Sequence, residues 1–176
     1  MPEESRRVLE GHGEVPLIRR RVEAPPATVR TLREVQGDNI GAAGLLWNER
    51  GQVLLVRHEP PSQWGDQWVA PGGGARPGES PEDTFLREVR EETELQARIL
   101  DLTCVYELTV TDGKDRVTGL FFQFEAMAQG SKAFPGPGID VVRWFDDLPL
   151  NMAFRDDYLK VFQSRREEVL RLGKGP

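Results

Sequence analysis

The sequence has almost no cysteine and no long apolar run. Its one cysteine, Cys104, cannot form an internal disulfide, and such scarcity is typical of a reducing compartment. No apolar stretch reaches the roughly 20 residues that a membrane-spanning helix needs. The first residues, MPEESRR, are polar, so we expect no signal peptide. Together these features predict a cytoplasmic protein without membrane partners, in which Cys104 is a buried small hydrophobic residue.

Basic residues are also fewer than acidic residues. The chain has 23 Lys and Arg against 29 Asp and Glu, which gives a net charge of −6. Because nucleic-acid backbones favour basic surfaces, this balance argues against a partner that is a nucleic-acid polymer. The length of 176 residues and the 38% hydrophobic content are ordinary for one domain with a sizeable core.

The most informative stretch joins a turn rich in Gly and Pro to an acidic segment of helical pattern. Ser80 is a plausible N-cap, Pro81 suits the first helical position, and Asp83 stands three residues after the cap. These signals predict a helix over 81–93, preceded by an ordered glycine loop over 72–78. A short strand over 68–73 is predicted to enter this loop. Glycines in such a loop let the backbone approach a ligand closely.

The acids of this helix share one face. Glu88, Glu91 and Glu92 have the spacing i, i+3 and i+4, at which like charges repel. They also lie near the helix C-terminus, where the helix dipole disfavours anions. A bound Mg²⁺ or Mn²⁺ would offset both effects, since these cations prefer carboxylate oxygens. The alternative is a solvated face on which Arg87 and Arg90 balance the acids.

The spacing of this stretch resembles the signature of the Nudix hydrolases. The matching positions are Gly73, Glu79, Arg87, Glu88, Val89, Glu91, Glu92 and Leu95. One position departs from the signature, because Glu94 stands where the family has glycine. That position follows the helix, so the departure bears on how the chain leaves the helix and not on the acids. We expect Glu94 to point to solvent.

The resemblance implies a reaction and a set of site residues. Family members cleave a diphosphate bond in a nucleoside diphosphate linked to another moiety, by attack of water with divalent metals. By motif position the implied ligands of Mg²⁺ or Mn²⁺ are Glu91, Glu92, the carbonyl of Gly72 and Glu88. Glu88 could instead be the catalytic base, because family members differ in this. Arg87 and Glu79 would pair and orient the glutamates.

Substrate contacts are predicted outside the signature. Arg57 and His58 end a strand and could reach a substrate phosphate, although a surface role is equally compatible. Trp64 and Trp68 are candidates to stack on a base, with packing in the core favoured for Trp68.

A further acid beyond the signature is also expected. Glu125, on a later strand, is our candidate for it. Asp112 and Asp115 are alternatives that a turn also explains. A run of three arginines, Arg19 to Arg21, could contact phosphates or pair with acids.

The order of predicted elements indicates an α/β (α+β) sandwich, in which helices flank a mixed β-sheet. Two hairpins are predicted, over 39–58 and 97–128, then a strand over 141–145 and a helix over 156–172. Residues 1–38 would form a partly flexible extension with a strand over 15–22 and a short helix over 28–35. Residues 39–172 would form the Nudix domain. The resemblance implies the same fold.

The substrate is where alternatives remain. The Trp-x-x-Pro-Gly-Gly sequence that begins at Trp68 looks like that of members acting on nucleoside triphosphates, including oxidised ones. ADP-ribose or a nucleotide sugar is the alternative. A nucleotide-binding module without catalysis is a second class, and isopentenyl diphosphate isomerase a third, although Cys104 is not placed like the catalytic cysteine of that enzyme. In each case we expect a small-molecule partner and a monomer or homodimer.

Overall fold

A computed structural model describes residues 10–34 and 40–172. The elements in chain order are β1 (Leu17–Glu23), α1 (Pro26–Glu34), β2 (Ile40–Trp47), β3 (Val53–His58), β4 (Gly72–Gly74), α2 (Pro81–Thr93), β5 (Gln96–Thr111), β6 (Arg116–Gln129), β7 (Ile139–Phe145) and α3 (Arg155–Leu172). Residues 1–9 of the extension predicted to be partly flexible, and the predicted domain start at Asn39, lie outside the described residues.

The described strands form a mixed sheet, accompanied by three helices in the same part of the chain, which confirms the predicted fold class. The strand order is β1-β5-β6-β2-β3-β7, and β4 pairs with β2. β1 runs parallel to β5, whereas β3 is antiparallel to both β2 and β7. No helix among the described residues is long and apolar enough to cross a bilayer.

The chain forms two compact units, and the first comprises Met1–Ala43, Gly72–Phe85 and Asp101–Phe124. Within it, Phe85 stacks on Phe124 with ring centroids 5.5 Å apart, and both rings are fully buried. Cys104 is buried, as predicted. Strand β1 is exposed along its length, and three consecutive arginines, Arg19 to Arg21, form its centre.

The second unit comprises Gly44–Pro71, Leu86–Leu100 and Glu125–Pro176. Its core includes the stacked rings of Trp47 and Phe162, whose centroids are 5.3 Å apart. Trp68 belongs to the same core and meets the Phe145 ring edge-on, with a centroid distance of 4.9 Å. This placement confirms packing as the role of Trp68. Helix α3 supplies Phe162 and other apolar side chains because its hydrophobic residues share one face.

Helix α2 begins and ends where the sequence predicts. The Ser80 hydroxyl accepts a hydrogen bond from the Asp83 amide at 3.1 Å and donates one to the Asp83 carboxylate at 2.8 Å. This cap satisfies one of the amide groups that a helix start leaves without a partner. The helix then runs over Pro81–Thr93, with Glu82 and Asp83 in its first turn, where the helix dipole favours acids.

Two predictions near this helix are wrong. The predicted loop over 72–78 begins instead as strand β4, because Gly72–Gly74 pairs with Ala43–Gly41 of β2. The predicted strand over 68–73 is reduced before β4 to isolated bridges at Trp68 and Val69. The short N-terminal helix also starts earlier than predicted, at Pro26, since the first helical position needs no amide hydrogen bond.

Candidate active site

The second half of α2 places a buried arginine beside two glutamates. Arg87 is 8% exposed, and its Nη1 atom lies 2.8 Å from Oε1 of Glu88 and 3.1 Å from Oε2 of Glu91. The repulsion expected on this face is therefore offset by a cation from the same helix. Arg90, the other arginine of the solvated-face alternative, is exposed. We call Glu88, Glu91 and Glu92 the glutamate cluster.

The third member of the cluster lies beside a histidine. Glu92 is buried, and its Oε1 atom is 3.8 Å from Nε2 of His58 at the end of β3. That separation is too long for a hydrogen bond. Burial lowers the pKa of His58, and the nearby charge of Glu88 partly opposes this effect. His58 is therefore a neutral imidazole next to the cluster at neutral pH.

The C-terminal end of α2 is fixed by the chain that follows β6. Glu94 has a left-handed backbone with φ of 59° and is exposed, which confirms the helix end and the outward side chain predicted for it. The amides of Phe134 and Gly136 donate to the carbonyls of Thr93 and Glu92, at 3.0 and 3.1 Å. This contact was not predicted from the sequence. Its only signal is the run FPGPG over 134–138.

Gly72 and Glu79 belong to the first unit, where each stabilises the backbone. A Cβ atom on Gly72 would overlap the Cβ of Ala43 and the carbonyl oxygen of Ala42, so only glycine allows this approach of β4 to β2. The Glu79 carboxylate accepts hydrogen bonds from the Arg76 amide at 2.9 Å and from the Thr84 hydroxyl at 3.1 Å. The metal-ligand role of the Gly72 carbonyl and the pairing of Glu79 with Arg87 stay predictions.

The candidate substrate contacts of the second unit have partners within the protein. Arg57 pairs with Asp140 at 2.8 Å, and its guanidinium lies 5.5 Å from the centre of the Trp68 ring. This arrangement fits the surface role. Trp64 is half-buried and meets the edge of the Phe154 ring at a centroid distance of 5.7 Å. Phe154 is exposed and has an unusual φ of 54°. Stacking of Trp64 on a base stays a prediction.

Glu125 lies in the interior of the second unit. It is 1% exposed, its Oε1 atom accepts a hydrogen bond from Trp47 Nε1 at 3.1 Å, and its Oε2 atom is 3.1 Å from Nε of Arg165. Because both oxygens have protein partners, the structure gives Glu125 a stabilising position. A substrate contact by Glu125 stays a prediction.

The alternative acids and the arginine run lie in the first unit. Asp112 accepts hydrogen bonds from the amides of Asp115 and Lys114, at 2.7 and 2.9 Å, and these bonds lower the pKa of Asp112. A turn therefore accounts for this acid. Arg19 pairs with Glu107 at 3.0 Å, in line with the interpretation that the run pairs with acids.

The glutamate cluster fits a divalent cation by its chemistry. Among residues 10–34 and 40–172, no group of three or more Asp, Glu, His or Cys side chains is arranged so that it could hold a metal ion. The donor set nevertheless consists of carboxylate oxygens, which Mg²⁺ and Mn²⁺ prefer. Arg87 already places one positive charge beside Glu88 and Glu91.

Comparisons with known proteins agree with the family signature found at residues 73–95. A family model described as the NUDIX domain matches residues 37–160. Diphosphoinositol polyphosphate phosphohydrolase 2 from Mus musculus is 37% identical over 76 residues, which are 36% of this chain and 41% of that protein. A Bacillus subtilis (strain 168) protein, provisionally named an 8-oxo-dGTP diphosphatase, is 33% identical over 93 residues, or 52% of this chain and 60% of that protein. The chain spans less than two thirds of these relatives.

A solved structure gives the same result for the fold. The crystal structure of a NUDIX hydrolase from Nitrosomonas europaea has a TM-score of 0.61 to this chain and is 23% identical to it. The match covers 77% of this chain and 75% of that one. At this identity the similarity shows the fold alone.

Proposed function

The chain belongs to the Nudix family, and from this premise we propose that it hydrolyses the pyrophosphate bond of a nucleoside diphosphate linked to another moiety. The observation that carries the proposal is the glutamate cluster. Glu88 and Glu91 share one nitrogen of Arg87, and Glu92 is buried beside His58. Arg87 supplies one positive charge against the three carboxylates, and a bound cation would offset the repulsion that remains.

The reaction explains why acids would serve a negatively charged substrate. A pyrophosphate carries several negative charges, so the attack of water on phosphorus needs charge neutralisation and a positioned nucleophile. Bound Mg²⁺ or Mn²⁺ would supply both, because the ion neutralises phosphate oxygens and lowers the pKa of its water. Glu91 and Glu92 would hold the ion, and Glu88 would be a further ligand or the base.

The neighbouring side chains would keep the cluster in position. Arg87 holds the carboxylates of Glu88 and Glu91 through two charge-assisted hydrogen bonds. The burial of Glu92 restricts its rotation and the access of water. His58, kept neutral by burial, offers a ring nitrogen that can hydrogen-bond to a substrate phosphate or to water without adding a competing charge beside the ion.

For the substrate we propose a compound of the nucleoside triphosphate type, including oxidised forms. Support comes from the Trp-x-x-Pro-Gly-Gly sequence that begins at Trp68 and from the name of the Bacillus subtilis relative. ADP-ribose or a nucleotide sugar is the alternative. The name of the mouse relative adds a diphosphoinositol polyphosphate to the substrates worth testing. A binding module without catalysis is the alternative from another class.

A substrate panel tests this proposal. The purified chain would be incubated with dGTP, 8-oxo-dGTP, ADP-ribose, UDP-glucose and a diphosphoinositol polyphosphate, each with Mg²⁺, with Mn²⁺ and with a chelator. We expect a nucleoside triphosphate to be converted to a monophosphate and pyrophosphate, only when metal is present. Binding of a nucleotide without turnover would identify a binding module. Equal rates with metal and with chelator would refute the mechanism.

A further inference from the structure

The segment Phe134–Gly138, which we call the Gly-Pro-Gly segment, lies against the last turn of α2. The amide of Gly136 donates to the carbonyl of Glu92 at 3.1 Å, and the amide of Phe134 donates to the carbonyl of Thr93 at 3.0 Å. Carbonyls in the last turn of a helix have no partner within the helix. The segment therefore supplies the hydrogen bonds that hold the end of α2, where two members of the glutamate cluster lie.

Gly136 allows this contact because it has no side chain. A Cβ atom at this position would collide with the carbonyl oxygen of Glu91, and it would lie 2.9 Å from the carbonyl carbon of the same residue. These obstacles are backbone atoms, which cannot rotate away as a side chain could. The φ of Gly136 lies outside the left-handed region, so it is space and not backbone conformation that requires glycine.

The other end of the segment is attached beside His58. The carbonyl of Gly138 accepts a hydrogen bond from the Glu59 amide at 2.9 Å, and Ile139 stands opposite His58 in the pairing of β3 with β7. The segment thus links the end of β3 to the last turn of α2. The segment therefore contacts the backbone next to His58 at one end and the backbone of Glu92 at the other. The side chains of these two residues are 3.8 Å apart.

We propose that Gly136 is a positioning residue for the glutamate cluster. The effect that we expect Gly136 to have on the rate of hydrolysis rests on the proposed function. Its effect on metal affinity can be measured without turnover. A methyl group on Gly136 would push the segment away from α2, break the hydrogen bond to Glu92 and move the backbone of Glu91 and Glu92. A misplacement of about 1 Å at a reacting centre can cost about a hundredfold in rate.

The test compares Gly136→Ala with Gly11→Ala. Gly11 is a matched control because a Cβ atom there would meet nothing within 4 Å, and its φ is not left-handed. Four quantities are measured for each protein: the affinity for Mn²⁺ without substrate, kcat and KM on the best substrate of the panel, and Tm in chelator. In Gly136→Ala we expect Mn²⁺ affinity to fall about 10- to 100-fold, as when a group that orients metal ligands is lost. We expect kcat to fall with it and KM to change less.

Two results would overturn the proposal. One is a folded Gly136→Ala protein with the Mn²⁺ affinity and kcat of the Gly11→Ala control. The other is a Gly136→Ala protein with a lower Tm in chelator but an unchanged Mn²⁺ affinity and an unchanged kcat. That result would make Gly136 purely structural. If the unmodified chain hydrolyses nothing in the panel, the proposed function fails, but the Mn²⁺ affinities still decide the role of Gly136.

A second measurement on the unmodified chain covers the case in which Gly136→Ala does not fold. If the segment and the cluster are coupled, an ion that binds the carboxylates must also stabilise the hydrogen bonds of the segment. We expect hydrogen exchange at the amides of Phe134 and Gly136 to slow severalfold on addition of Mg²⁺, whereas exchange at exposed Lys132 should not change. Unchanged exchange at Phe134 and Gly136 with Mg²⁺ bound would overturn the proposal.

Discussion

One nitrogen of Arg87 holds two carboxylates, because its Nη1 atom is 2.8 Å from Oε1 of Glu88 and 3.1 Å from Oε2 of Glu91. The three residues lie on the same helix within one turn. The arginine is buried, so its charge is screened by water less than that of a surface residue. The pairing fixes two members of the glutamate cluster before any ligand binds.

Arg87→Lys should keep the charge and lose this geometry. A lysine ammonium has three N–H donors, but it lacks the planar guanidinium whose N–H directions are fixed, so it should hold the two carboxylates less firmly in place. We expect hydrolysis of the preferred substrate to slow by about 10- to 100-fold. Arg90→Lys is the matched control, since Arg90 lies on the same helix and is exposed. A normal rate for Arg87→Lys would show that the pairing does not position the glutamates.

Glu94→Gly should stabilise the protein. Glu94 has a left-handed φ of 59°, a conformation that glycine adopts without a steric cost. We expect the free energy of unfolding to rise by about 1 kcal/mol and Tm to rise by about 2–4 °C. Glu94→Ala is the control, because alanine keeps the Cβ atom and should bring no such gain. Weaker Mn²⁺ binding by Glu94→Gly would instead identify Glu94 as a metal ligand.

Glu125→Gln should affect stability and leave the rate unchanged. Glutamine can still accept the hydrogen bond of Trp47, but it removes the charge that faces Arg165 in the interior. We expect the free energy of unfolding to fall by about 1–3 kcal/mol. Glu168→Gln is the control, because it removes the exposed acid partner of the same arginine and should cost less than about 1 kcal/mol. A large loss of rate at unchanged stability would show that Glu125 contacts the substrate.

Asp112 should contribute a pH-dependent part of the stability. Amide hydrogen bonds from Asp115 and Lys114 lower the pKa of Asp112 in the folded protein. A carboxyl with a lowered folded pKa stabilises the fold above its unfolded pKa, and this contribution is lost as the pH falls through the folded pKa. We therefore expect Asp112→Asn, which keeps the acceptor oxygen, to lose less stability than the unmodified chain between about pH 5 and pH 2. If the free energy of unfolding fell by the same amount in both proteins over this pH range, the prediction would be contradicted.

Local signals in the sequence were sufficient to predict α2 and the face on which its acids lie. Ser80 and Asp83 are neighbours in the chain, and the spacing of Glu88, Glu91 and Glu92 fixes their common face before tertiary contacts are known. For the same reason the sequence indicated the helix end near Glu94. The chain turns at Glu94, so this residue adopts the left-handed conformation although it is not glycine.

The features that sequence reasoning missed depend on residues far apart in the chain. Strand β4 has no side-chain pattern, because Gly72–Gly74 forms a strand only by pairing with β2. The burial of Glu125 depends on Trp47 and Arg165, which lie 78 and 40 residues away in the numbering. The contact of Gly136 with α2 depends on the absence of a side chain, and a glycine in a loop has no local signal for such a contact.

The most direct test of the account is the rate of metal-dependent hydrolysis by Glu91→Gln and Glu92→Gln. Each change keeps the size of the side chain and removes one charge from the cluster. If these residues hold the ion, the rate in Mg²⁺ should fall by about 10²-fold or more, which corresponds to a few kcal/mol of transition-state stabilisation. Tm in chelator should stay the same or rise, because like charges on one helix face repel. Full activity of both variants in Mg²⁺ would contradict the central claim that the glutamate cluster carries the chemistry.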